Sequence, residues 1–142
     1  MMREPSFWWR PAGVAAGLLS PFGAIYGLIA AARMARPGRA ARIPVLCIGN
    51  LTLGGAGKTP TALAVAQILD AAGRRPFVLS RGYRGELAGP VRVDPTKHRS
   101  AEVGDEPLLL ARSAPTIVAR DRAAGADAAR AAGADSIVMD DG

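Results

Sequence analysis

The 142 residues suit one domain of ordinary size, and a composition 49% hydrophobic and 21% charged can bury a core, which excludes wholesale disorder. A single cysteine, Cys47, excludes a disulfide framework and any cysteine-built metal site, so a reducing cytosol is the default. The formal net charge of +6 does not argue for nucleic acid: most of the excess lies in residues 1–42, where Arg3, Arg10, Arg33, Arg36, Arg39 and Arg42 face only Glu4, and the few aromatic residues are not interleaved with a basic run.

Residues 1–42 read as a hydrophobic, basic, membrane-associating arm. Residues 11–32 carry no formal charge, and as one helix at about 1.5 Å per residue they would reach roughly 33 Å, enough to cross the hydrocarbon of a bilayer. The segment is mostly Ala and Gly, however, and Ser20-Pro21 sits in its middle, where proline should break or kink a helix. The expectation is therefore two short amphipathic helices lying in the interface, with a single spanning helix and a soluble helical hairpin as the alternatives. Phe7-Trp8-Trp9 and the arginines 33, 36, 39 and 42 suit interfacial aromatics and a basic flank for anionic lipid, with a staple of the aromatics onto the next domain as the alternative. A secretory signal has a similar layout. Four arginines after the apolar stretch, and a following motif that needs a cytosolic nucleotide, favour the cytoplasmic face. Residues 37–42 are polar and turn-prone and make the linker.

From residue 43 onward, apolar runs alternate with helical spacing. Residues 43–48 predict a buried strand with Cys47 in its packing, 59–72 a helix stopped by Gly73, 76–80 a strand, 105–113 a helix, 116–119 a strand, 121–132 an Ala-rich helix ending at Gly133, and 136–139 a strand. Strands alternating with helices imply a parallel sheet flanked by helices, an α/β fold.

The first strand and its helix are joined by Asn50-Leu51-Thr52-Leu53-Gly54-Gly55-Ala56-Gly57-Lys58-Thr59. Glycines there let main-chain amides of residues 52–59 approach phosphate oxygens, and the helix beginning at Lys58 points its dipole at the same anion. Lys58 would reach the β and γ phosphates, and the Thr59 hydroxyl would be a Mg²⁺ ligand. Thr52 stands where the usual phosphate-loop pattern has its first glycine, while Gly54 and Gly55 supply glycine nearby. The strand at 136–139 ends in Asp140-Asp141, the layout of a Walker B strand that delivers a carboxylate beside the metal; taken alone, such an ending is commonly turn chemistry. The context makes this a P-loop NTPase-like domain over residues 43–142. Arg81, Tyr83 and Arg84 follow the second strand, where open sheets collect ligands; an Arg fork there suits phosphate, and a solvated turn is the alternative. His98, the only histidine, lies in a polar stretch without ligand partners in spacing and reads as a loop residue.

Four blocks in order, residues 50–60, Leu-Ser-Arg-Gly-Tyr-Arg-Gly at 79–85, Val-Gly-Asp-Glu-Pro-Leu at 103–108 and the closing Asp-Asp-Gly at 140–142, together resemble the tetraacyldisaccharide 4′-kinase (lipid A 4′-kinase) family. The resemblance implies an enzyme that moves the γ-phosphate of ATP, with Mg²⁺, onto the 4′-hydroxyl of a tetraacyldisaccharide 1-phosphate glycolipid in lipid A biosynthesis, at the cytoplasmic face of the inner membrane of a Gram-negative type of cell. No nucleic acid or obligate protein partner is implied. Asp105 corresponds to the family's catalytic carboxylate, which accepts or orients the sugar hydroxyl's proton; without the family it would read as a helix cap. Lys58 and Thr59 keep the roles derived above, and Asp140 and Asp141 correspond to the family's acidic pair near the metal. The family continues past residue 142 into a further lobe that supplies a histidine to the carboxylate. The expectation is thus an N-terminal portion, nearly inactive alone, whose sheet ends on an exposed Walker B edge. The alternatives are a membrane-recruited ATPase or GTPase switch, which usually carries a lysine where this chain has Leu53, and an inactive membrane-anchored remnant.

Overall fold

The computed structural model describes residues 13–35, 38–49 and 57–140. The chain divides into two compact units, Met1–Arg39 and Ala40–Gly142, close to the linker expected at residues 37–42.

In the first unit, α1 runs without a break over Val14–Met34 with Pro21 inside it, which corrects the expectation of two short helices. The local chemistry explains the continuity. Pro21 cannot donate to the carbonyl four residues back, that of Gly17, and the Ser20 hydroxyl donates to that oxygen instead, at 2.9 Å. The helix is not amphipathic either. At 100° per residue Leu18, Phe22, Ile25, Tyr26 and Ile29 share one half and Gly23, Gly27 and Ala31 the other, so the halves differ in size, with Arg33 in the last turn as the one charge. At about 1.5 Å per residue α1 is roughly 31 Å long. Its stretch Ala16–Met34 is long and apolar enough to cross a membrane, by length and composition.

The second unit is built on a five-stranded sheet. Its elements are β1 (Val45–Ile48), α2 (Lys58–Ala71), β2 (Pro76–Ser80), β3 (Val91–Arg92), α3 (Ser100–Val103), α4 (Asp105–Ala111), β4 (Thr116–Val118), α5 (Arg122–Ala131) and β5 (Ser136–Asp140). The strand order is β1-β5-β2-β4-β3. The pairs β1·β5, β5·β2 and β2·β4 are parallel, and β3 runs antiparallel to β4 at the edge. Strand alternation divides the core. Phe77 and Leu79 of β2 pack with Ile117, Ile137, Ala126 and Ala129 on the α5 face, whereas Val78 and Val138 pack with Ala62, Ala66 and Leu110 beneath α2 and α4. Small residues on α5 let it lie close to the sheet.

Helix ends follow their local chemistry. Gly73, in the left-handed region at φ 76°, ends α2: its N–H reaches the Asp70 carbonyl and the Arg74 N–H reaches that of Leu69, a Schellman closure. Asp121 caps α5 by accepting from the N–H groups of Ala123 and Ala124.

Two expectations are corrected. β5 is not an exposed edge; it is inserted between β1 and β2 and pairs on both sides, because order along the chain does not set order in the sheet. β1 is the edge strand instead and is only partly covered, which leaves Cys47 exposed and not in core packing. The helix-cap alternative for Asp105 is not adopted: Gly104 takes that position, and Asp105 opens the first turn of α4.

Candidate functional site

Because four strands are parallel, their carboxyl ends emerge on one side, and most of the residues singled out by motif are found there. β1 leads towards α2, whose N-cap is Gly57 at φ 76°, a conformation that glycine adopts without a Cβ penalty. Lys58 and Thr59 open the helix, and Pro60 sits in its first turn, where its missing N–H is harmless. The Gly57 carbonyl accepts from both the N–H and the hydroxyl of Thr61, at 3.1 and 2.8 Å. Thr52, Leu53, Gly54, Gly55 and Ala56 lie outside the described residues, as does Asp141.

The parallel register places Asp140 directly beside Ile48, at the point where β1 gives way to the glycine-rich segment. Asp140 is 2% exposed, so a carboxylate is held in the protein interior next to the proposed phosphate site.

One contact ties the distant motifs together. The Thr59 hydroxyl donates to the Glu106 carboxylate, 47 residues away in sequence. The first turn of α4, which presents Asp105 and Glu106, therefore stands against the first turn of α2. Asp105 is exposed and Glu106 half-buried. Glu106 belongs to the block at 103–108, and the sequence alone assigns it no role. The available signal was two consecutive acids opening a short helix in a chain that also carries a phosphate-loop lysine and threonine.

The loop after β2 completes this end of the sheet. Arg81, Tyr83 and Arg84 are exposed there, with the Arg84 guanidinium 5.4 Å from the Tyr83 ring centre, a cation-π distance. Arg81, Gly82, Arg84 and Arg120 line a hollow of about 450 Å³, and Tyr83, Gly104, Asp105 and Glu106 line an adjoining one of about 360 Å³. Cationic and anionic functions thus occupy neighbouring hollows. Volume alone does not locate the site, since a hollow of about 620 Å³ opens near Arg92, Asp94 and His98, away from these motifs. His98 is a loop residue as expected, its Nδ1 accepting from the Asp94 N–H at 3.0 Å.

Among the described residues no group of three or more His, Cys, Asp or Glu side chains forms a metal cluster. The oxygens of Thr59, Glu106 and Asp140 nevertheless fit Mg²⁺, which is commonly bound by one or two carboxylates together with water and substrate phosphates. A threonine hydroxyl can donate its proton to Glu106 while keeping a lone pair for a cation.

The family model described as tetraacyldisaccharide-1-P 4′-kinase matches residues 15–142. The chain belongs to this family. Among similar curated proteins are a tetraacyldisaccharide 4′-kinase of Methylobacterium sp. (strain 4-46), 68% identical over 99% of this chain and 43% of the relative, and one of Rhodopseudomonas palustris (strain BisB18), 63% identical over 99% of this chain and 41% of the relative. The chain thus spans less than half the length of these tetraacyldisaccharide 4′-kinases. A crystal structure described as the "apo" form of LpxK from Aquifex aeolicus in complex with ATP matches with a TM-score of 0.75 and 29% identity, covering 89% of this chain and 44% of that one. This likeness establishes the P-loop kinase fold of the second unit.

Proposed function

We propose that this chain is the nucleotide-binding portion of a tetraacyldisaccharide 4′-kinase. The full-length protein would transfer the γ-phosphate of ATP to the 4′-hydroxyl of a tetraacyldisaccharide 1-phosphate. The observation that carries the reading is the Thr59–Glu106 hydrogen bond, which brings the Gly-Asp-Glu-Pro block against the phosphate-loop helix. No observation favours a nucleotide switch or an inactive remnant.

The amides of residues 52–59 would cradle the triphosphate tail, with the α2 dipole and Lys58 opposing its charge. Thr59, with Asp140 or Asp141, would hold Mg²⁺, which supplies charge neutralisation across the β and γ phosphates. The 4′-oxygen attacks phosphorus, the bond from phosphorus to the ADP oxygen breaks, and the hydroxyl proton passes to Asp105. Such a transfer depends on alignment and electrostatics more than on covalent chemistry. Arg81, Tyr83 and Arg84, at the rim, would contact phosphate of nucleotide or lipid.

The membrane part of the proposal rests on α1. A single apolar helix of this length, charged only at Arg33 in its last turn, would hold the catalytic unit where an insoluble acceptor lies, at the cytoplasmic face of the inner membrane, where ATP is available. The test is transfer of labelled γ-phosphate to the glycolipid by the full-length protein. Lys58→Ala and Asp105→Ala should each lower the rate by about a thousandfold or more while leaving membrane recovery unchanged. Wild-type rates in both variants would refute the assignment.

A further inference from the structure

The loop that carries Arg81, Tyr83 and Arg84 and the corner that carries Asp105 and Glu106 are packed backbone on backbone, and three glycines make this possible. A Cβ at Gly85 would stand 2.7 Å from the Val103 carbonyl carbon, 2.8 Å from the Glu102 oxygen and 2.9 Å from the Gly104 nitrogen. At Gly104 it would stand 2.7 Å from the Tyr83 oxygen, and at Gly82 2.5 Å from Val118 Cγ1 and 3.1 Å from the Val103 oxygen. Main-chain hydrogen bonds continue the seam: the Glu86 N–H reaches the Ala101 carbonyl at 3.0 Å and the Leu87 N–H that of Glu102 at 2.9 Å. From the outer side the Arg120 guanidinium donates to the Gly85 and Glu86 carbonyls at 3.2 and 3.5 Å.

We infer that Gly85 is a positioning residue: it seats the arginine-bearing loop against the Val103–Asp105 corner and thereby fixes Asp105 and Glu106 relative to the phosphate-loop helix. This rests on the kinase reading above. Gly85 is suited to test it because its backbone is not in the left-handed region; alanine there is opposed by contact and not by its own conformation. The atoms it would meet are main chain, which cannot rotate aside, so relief requires the loop and the corner to separate. A displacement near 1 Å at a reacting group costs on the order of a hundredfold in rate.

The experiment uses full-length protein and measures kcat, KM for ATP and Tm for wild type, Gly85→Ala and Gly73→Ala. Gly73 is the control because its φ of 76° strains alanine while nothing lies within 4 Å of its Cβ position, remote from the seam. Gly85→Ala should lower kcat by about a hundredfold with KM for ATP within about threefold of wild type, and Gly73→Ala should lower Tm while keeping kcat. A folded Gly85→Ala protein with wild-type kcat overturns the inference, as does an equal loss of kcat in Gly73→Ala. If Gly85→Ala does not fold, Arg120→Ala decides: a loss of about tenfold in kcat at unchanged KM for ATP supports the seam, and wild-type kcat overturns it. An inactive wild-type protein would instead overturn the kinase reading.

Discussion

The hydrogen bond from Thr59 to Glu106 joins two helices that are 47 residues apart in sequence, so its strength can be measured as stability without any assay of function. A double-mutant cycle of Thr59→Val and Glu106→Ala, followed by chemical unfolding in the absence of nucleotide and magnesium, isolates it. Hydrogen bonds to charged groups contribute about 1.5–3 kcal/mol, and partial burial with solvent screening reduces this to about 1–2 kcal/mol for the pair. For a unit of this size each 1 kcal/mol moves Tm by roughly 4–8 °C, so the coupling is well above experimental scatter. Thr59→Val should be the costlier single change per atom removed, since it leaves a half-buried carboxylate without its donor. Additivity of the two substitutions to within about 0.3–0.5 kcal/mol would mean that the helices are not in contact through these side chains, and the assembled site would fail with it.

Three further outcomes are expected. Ile137→Ala, at a fully buried position of β5 flanked by Val45 and Phe77, should cost about 2–5 kcal/mol in chemical unfolding. The Thr96 hydroxyl and N–H, with Lys97 nearby, hold the Asp94 carboxyl down at about 2, against 3.8 ordinarily. A depressed carboxylate stabilises the fold above its unfolded pKa and loses that contribution as pH falls through the folded one. The stability advantage of wild type over Asp94→Asn should therefore be complete at neutral pH and disappear between about pH 4 and pH 2, which unfolding at a series of pH values will show. Deleting residues 1–39 should move the protein from the membrane pellet to the supernatant after carbonate washing, whereas Ser20→Ala should leave it in the pellet.

Much of the second unit was legible because its strands are short apolar runs, such as Phe77-Val78-Leu79, and its helices end in glycines with a defined job, such as Gly73. Sheet order was not legible. Nothing local in Ser136-Ile-Val-Met says that β5 enters between β1 and β2, so chain order alone puts the edge on the wrong strand and Cys47 in the core. β3 and α3 were missed because two residues, Val91 and Arg92, make no period, and α3 is a single turn. Pro21 misled for a different reason: the rule that proline breaks helices assumes an unsatisfied carbonyl, and Ser20 supplies the missing donor. The roles proposed for Lys58, Thr59 and Asp140 come from motif spacing. The contact of Glu106 with Thr59 follows only from α4 abutting α2, which is tertiary information.

The most direct test of the central claim is calorimetric titration of folded full-length protein with magnesium-loaded ATP. The account predicts a saturable, one-to-one heat that Lys58→Ala abolishes while Gly73→Ala preserves it; absence of any heat with folded wild-type protein would contradict it.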